Sequence, residues 1–110
     1  MSYRAPVSDM LSTMRHVAGL DRLIADGLAP ELEGGVAEAV LDEAARFAND
    51  VIAPLNRVGD LTGSKLKDGA VTTPPGWKEA YKAWAEAGWN ALPAPEAYGG
   101  QGLPALLQSA

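Results

Sequence analysis

Between Val36 and Leu55 the apolar residues Val36, Val40, Ala44, Phe47, Ala48, Val51 and Leu55 recur every three or four positions, with Glu38, Asp42, Glu43, Arg46 and Asp50 on the other sides. Only an α-helix brings residues at that spacing onto one face, so the middle of the chain is an amphipathic helix that must bury its stripe. Glu31 and Glu33 precede it, where negative charge complements the helix dipole, and Gly34 or Gly35 can serve as its cap. Pro54 is expected to stop or kink it, because proline cannot donate to the carbonyl four residues back.

Shorter helices flank this one. Val7, Met10, Leu11, Met14, Val17 and Ala18 share a face, which predicts a helix from about Asp9 to Ala18, with Ser8 as N-cap and Gly19 as its end. Leu23, Ile24 and Leu28 suggest a second short helix over about Asp21 to Ala25, held short by Gly27 and Pro30. Between Gly59 and Pro75 the apolar period disappears. This connection has room for a minor hairpin, Lys65 to Lys67 and Ala70 to Thr72, turning through Lys67-Asp68-Gly69-Ala70 as a type I′ turn. Pro75 then suits the first turn of another helix, which carries Trp77, Tyr81, Trp84 and Ala85 on one face and ends at Gly88. From Trp89 to Pro104, WNALPAPEAYGGQGLP has neither helical nor strand periodicity, and its glycines and prolines predict an ordered loop. Pro104 suits the start of a further helix with Ala105, Leu106 and Leu107.

Composition narrows the function classes. A chain of 110 residues with net charge −5 is long enough for one modest core and too short for two domains. Much of its 47% hydrophobic content is alanine, and Phe47 is the only phenylalanine, which suits closely packed helices. The acidic balance excludes a phosphate-backbone partner such as nucleic acid. There is no cysteine, hence no disulfide framework and no thiolate metal site. No stretch has the length of a membrane span, and the first residues lack the apolar segment of a secretion signal, so the cytoplasm is the expected location.

Few side chains point to chemistry. His16 is the single histidine, and without a second histidine or a cysteine it reads as a helix-surface residue rather than a metal ligand. Glu96 sits in the loop, where a general base could work; a solvated carboxylate or a cap for nearby amides is the plainer reading. Trp77, Tyr81 and Trp84 could stack on a flat cofactor, but at helical spacing they are expected to be core, with Trp89 and Tyr98 pinning the loop against them. Gly99-Gly100-Gln101 matches the tripeptide by which peptidyl-tRNA release factors present glutamine. Yet the segment from Ala83 to Ala110 has no lysine or arginine with which to approach RNA. No Walker-type phosphate loop is present.

The motifs do converge on one resemblance. GW, a short apolar stretch, PE and YGGQGLP together resemble the turn that closes the N-terminal helical domain of acyl-CoA dehydrogenases, especially their larger bacterial members. SYRAPVSDM, the helix ending in VIAPLNRVGD, and DGAVTTPPGWKEAYKAWAEAGW are similar to the same family in the same order. One departure is Ser12, near where the family usually carries an aromatic residue.

The resemblance implies an all-α fold, a small helical bundle with a long loop over 59–74, in which residues 1–110 form a single helical domain truncated at its C-terminal end. It implies a FAD-dependent enzyme in which a glutamate removes the α-proton of an acyl-CoA thioester while the β-hydrogen leaves as hydride to the flavin. Electrons then pass to an electron-transfer flavoprotein, and a neighbouring subunit helps hold the FAD, which implies a homo-oligomer. The family's base and most flavin contacts lie downstream of position 110. No catalytic, cofactor-binding or metal-binding residue is therefore assigned here, and the segment alone is expected to be inactive. The residues carried over are structural: Pro54, Leu55, Asn56 and Asp60 after the long helix, Pro75 and Gly76 before the aromatic helix, and Tyr98, Gly99, Gly100, Gly102, Leu103 and Pro104 at the closing turn. A stand-alone helical interaction module without catalytic activity is the alternative from another class.

Overall fold

A computed structural model describes residues 2–110, and it is built from helices with one small hairpin. Helix α1 runs from Val7 to His16 and α2 from Leu20 to Ala25; a 3-10 segment, Pro30–Gly35, leads into α3, Val36–Phe47. The helical rod then passes through a π turn, Ala48–Ile52, and continues as α4, Ala53–Thr62. Strands β1, Lys65–Lys67, and β2, Ala70–Thr72, follow, then α5, Trp77–Glu86, and α6, Ala105–Ser109.

Several boundaries differ from expectation for local reasons. Ser8 is not the cap of α1. The carbonyl of Pro6 already accepts the amides of Asp9 and Met10, at 3.1 and 3.0 Å, so the helix begins at Val7 and Ser8 lies inside it. At the other end Val17 and Ala18 both donate to the Thr13 carbonyl, and the helix closes at His16. Gly35, at φ +82°, precedes α3 as expected.

Pro54 does not end the rod. It sits in the first turn of α4, and just before it the amide of Ala53 donates to the carbonyl of Ala48, five residues back. Widening one turn in this way accommodates the missing donor of proline at the cost of one extra residue. The helix therefore reaches Thr62, and the connection expected from position 59 starts at Gly63. The hairpin is present in the expected register, with Lys65 opposite Thr72, Leu66 opposite Val71 and Lys67 opposite Ala70. Asp68 and Gly69, at φ +51° and +78°, have the two left-handed residues that a type I′ turn requires.

Helix α5 begins at Trp77, two residues later than Pro75, which precedes the Gly76 cap. Pro104 likewise caps α6 rather than opening it.

The core is lopsided. Leu11, Met14, Leu20, Ala29, Leu32, Ala37, Leu41 and Leu107 form one buried cluster, drawn from α1, α2, the segments around Pro30, the first half of α3, and α6. Val7, Met10, Leu23, Ile24, Val40, Leu103 and Leu106 pack around it. None of α4 or the hairpin is buried. The result is a plate, 56 × 38 × 18 Å, with a radius of gyration of 17.1 Å. A compact domain of this length has about 13 Å.

Candidate functional site

The motif residues fall into two groups. In the first, α4 and the start of α5 meet. The indole Nε1 of Trp77 donates to the Leu55 carbonyl at 3.4 Å. The Trp77 ring lies close against Gly59, where a β-carbon would fall 2.5 Å from Cζ2. Gly76 is fitted just as closely, since its own β-carbon would stand 2.8 Å from Leu55 Cδ2. Leu55, Gly59, Gly76 and Trp77 thus interlock, and Pro75 delivers the chain to them. Pro54, Asn56 and Asp60 lie on the exposed sides of the same helix.

The second group is the closing turn, which is ordered by its backbone. Amides of Gln101, Gly102 and Leu103 donate to the carbonyls of Ala91, Ala94 and Leu92 at 3.1, 2.9 and 2.9 Å. The amide of Gly100 donates to Pro95 at 3.1 Å, and a β-carbon on Gly100 would collide with the carbonyl of Ala94. This explains glycine at position 100 by space alone, while Gly99 and Gly102 take left-handed conformations. Gln101 folds its amide to 3.2 Å from where a Gly88 β-carbon would stand. It lies beside the glycine that follows α5. The turn folds on Ala91 to Ala94, and Pro104 hands the chain to α6, whose Leu107 enters the core.

Tyr98 departs from its expected role. It is 87% exposed and pins nothing, because the 3-10 turn Glu96–Tyr98 aims it away from the helices. Glu96 opens that turn as an exposed residue with no side-chain cap hydrogen bond, which leaves the solvated-carboxylate reading. His16 is exposed in the last turn of α1, and among the described residues no cluster of metal-ligating side chains occurs.

The aromatic row is not core either. Trp77 is 43% and Tyr81 69% exposed, and Trp84 is only half-buried; the buried residue on α5 is Ala80. These rings instead line a groove of about 870 Å³ between α5 and the π turn with α4, walled opposite by Ile52 and Leu55. Tyr81 and Trp84 lie 6.1 Å apart between ring centroids, tilted by 30°. Among the described residues no charged side chain lines the groove, and Asn56 supplies its one amide. Sequence reasoning missed Gly59 and the Leu55 carbonyl. The available signal was a glycine within the continuing rod, which marks close approach by a neighbour.

With both groups in place, comparison with known proteins decides the family. The sequence pattern of the acyl-CoA dehydrogenase N-terminal domain matches residues 36–110, the stretch holding both groups. The chain belongs to that family. It is 37% identical over 110 residues to a 3-methylmercaptopropionyl-CoA dehydrogenase of Ruegeria pomeroyi, covering all of this chain and 19% of that protein. To a broad-specificity linear acyl-CoA dehydrogenase of Mycobacterium tuberculosis it is 29% identical over 104 residues, covering 93% of this chain and 17% of the relative. The chain therefore spans less than a fifth of the length of these curated relatives. No helix among the described residues is long and apolar enough to cross a membrane.

Proposed function

We propose that these residues are the N-terminal helical domain of a longer FAD-dependent acyl-CoA dehydrogenase, which introduces a double bond between the α and β carbons of an acyl-CoA thioester. The observation that carries the proposal is similarity over the whole of this chain to part of a curated acyl-CoA dehydrogenase, in a segment belonging to that family's N-terminal domain. Acyl-CoA as substrate, an electron-transfer flavoprotein as acceptor, assembly with further copies, and a cytoplasmic setting belong to the same reading. The motif residues at α4, α5 and the closing turn serve it as scaffold.

The groove and the closing turn do not themselves suit a flavin dinucleotide. Holding its diphosphate calls for cationic side chains or a cradle of free amides. The groove has no lysine or arginine, and the amides of the closing turn are already spent on Ala91 to Ala94. No chemical step is therefore assigned to residues 2–110. Bound elsewhere in the longer protein, the flavin would accept the hydride, and this domain would contribute apolar walls and rigidity.

The experiment compares two preparations: the protein translated from the whole reading frame, and residues 1–110 alone. The longer protein should be yellow and should bleach when acyl-CoA is added, whereas the short chain should be colourless and inert. A colourless, inert longer protein would overturn the enzyme reading. A yellow preparation of the short chain that acyl-CoA reduces would overturn the assignment of the chemistry to other residues.

A further inference from the structure

We propose that Asp68, at the tip of the hairpin, is a site of spontaneous covalent modification, where the aspartate side chain condenses with the next backbone amide and reopens as isoaspartate. This depends only on the hairpin and is independent of the enzyme reading.

The reaction conserves atoms. The Gly69 nitrogen attacks Asp68 Cγ; an N–Cγ bond forms, the Cγ–OH bond breaks, and that hydroxyl leaves as water with the amide proton. Water then adds to either carbonyl of the resulting succinimide ring. Addition at Cγ restores aspartate. Addition at the main-chain carbonyl breaks its bond to the Gly69 nitrogen, and the backbone thereafter runs through Cγ. No oxidant, reductant or cofactor takes part. Glycine in the second position favours the step, because it has no β-carbon to crowd the attacking nitrogen.

The sequence contains two Asp-Gly pairs, Asp26-Gly27 and Asp68-Gly69, and all four residues are exposed. Their surroundings separate them. At the end of α2 the Gly27 amide, which would have to attack, already donates to the Ile24 carbonyl at 3.0 Å. On either side of it Asp26 N donates to Arg22 at 2.9 Å and Leu28 N to Leu23 at 2.9 Å, so closing a ring there means unwinding the end of a helix whose Leu23 and Ile24 pack on the core. The Asp26 carboxylate is also drawn toward Arg22, at 3.5 Å.

None of this holds at the hairpin tip. Among the described residues the Gly69 amide has no hydrogen-bond partner and the Asp68 carboxylate no ion pair. Asp68 is also the one described non-glycine residue held at positive φ, +51°, a conformation that an L-residue other than glycine leaves readily. Ring closure requires rotation about the Asp68 Cα–C bond, which the closed turn resists and an opened hairpin allows. Opening is easy here, since each strand has three residues, all exposed, and a lone two-stranded hairpin is marginal. The product adds a carbon to the main chain of a two-residue loop whose length sets the register, so the pairing of Lys67 with Ala70 is lost.

The test ages the longer protein in heavy-oxygen water, folded in one sample and unfolded by guanidinium in the other. Electron-transfer fragmentation of its peptides then measures isoaspartate at positions 26 and 68. The unfolded sample gives the intrinsic rate of each pair, and the folded rate divided by it gives the retention at each site. Retention at Asp68 should exceed that at Asp26 by at least about fivefold, the factor one surviving hydrogen bond on the competing amide supplies. A smaller difference, the reverse order, or no isoaspartate at position 68 overturns the proposal. Isoaspartate formed by this route carries one heavy oxygen taken from water; product without it arose otherwise and overturns the route.

Discussion

Leu32 and Tyr81 sit in the same small chain under opposite conditions: one is 2% exposed and the other 69%. Leu32 belongs to the half built from α1, α2, α3 and α6, where four helices enclose one apolar cluster. Tyr81 belongs to the half built from α4, the hairpin and α5, where two helices touch along one line and the strands pack on nothing. The first half is held by volume filled; the second is held by a lock of two glycines, a leucine and a tryptophan. Stability in such a molecule is uneven, and the weaker half is the one that offers surface to a neighbour.

That contrast can be broken by mutation, and the largest effect is expected in the filled half. Leu32→Ala or Leu41→Ala should cost about 2–5 kcal/mol in urea unfolding, because each removes a buried side chain whose neighbours cannot fully collapse. A loss under about 0.5 kcal/mol at both positions would mean that the cluster is not the stabilising centre.

Next comes the lock. Gly59→Ala should destabilise by about 1–3 kcal/mol, since its methyl group must displace the Trp77 ring. The sign should reverse when Trp77→Ala is already present. With the ring gone, alanine exceeds glycine in helix propensity by about 0.8–1 kcal/mol. A double-mutant cycle measures the difference, and simple additivity would show that Gly59 and Trp77 do not touch.

A smaller effect belongs to the tether between the halves. The amide of Ala5 donates to Asn49 Oδ1 at 3.1 Å, fastening the segment before α1 to the π turn. Asn49→Ala should cost about 0.5–1.5 kcal/mol and speed hydrogen exchange at Ala5. Unchanged exchange there would rule out the bond in solution. The smallest effect is expected at Tyr81→Ser in the isolated chain, within about 0.5 kcal/mol of the parent, as for surface substitutions generally. A larger loss would show that the second half has packing of its own.

The sequence was most legible where periodicity and turn chemistry coincide. The stripe from Val36 to Leu55 specified the central rod, Asp68-Gly69 specified the hairpin turn, and GGQGLP signalled an ordered corner. Pro54 was expected to stop or kink the rod, and the rod does not stop there, because a proline's missing donor can be absorbed by a wide turn upstream; nothing in local composition distinguishes these outcomes. Taking Trp77, Tyr81 and Trp84 as core was wrong for a different reason. Helical spacing reports that residues share a face, and not whether anything lies opposite. Gly59 was passed over because the value of a missing side chain depends on a tryptophan eighteen positions away. The family came from ordered motifs; the open groove came only from coordinates.

The π turn carries a consequence for comparing related chains. Successive residues on a helix are displaced by about 100° around its axis, so the extra residue near Ala48 to Ile52 rephases everything beyond it. The side of the rod that faces α1 upstream and the side that meets α5 downstream are set by that single insertion. A homologue shorter by one residue there would keep both helices yet swing Leu55 and Gly59 around the rod, leaving Trp77 without its berth.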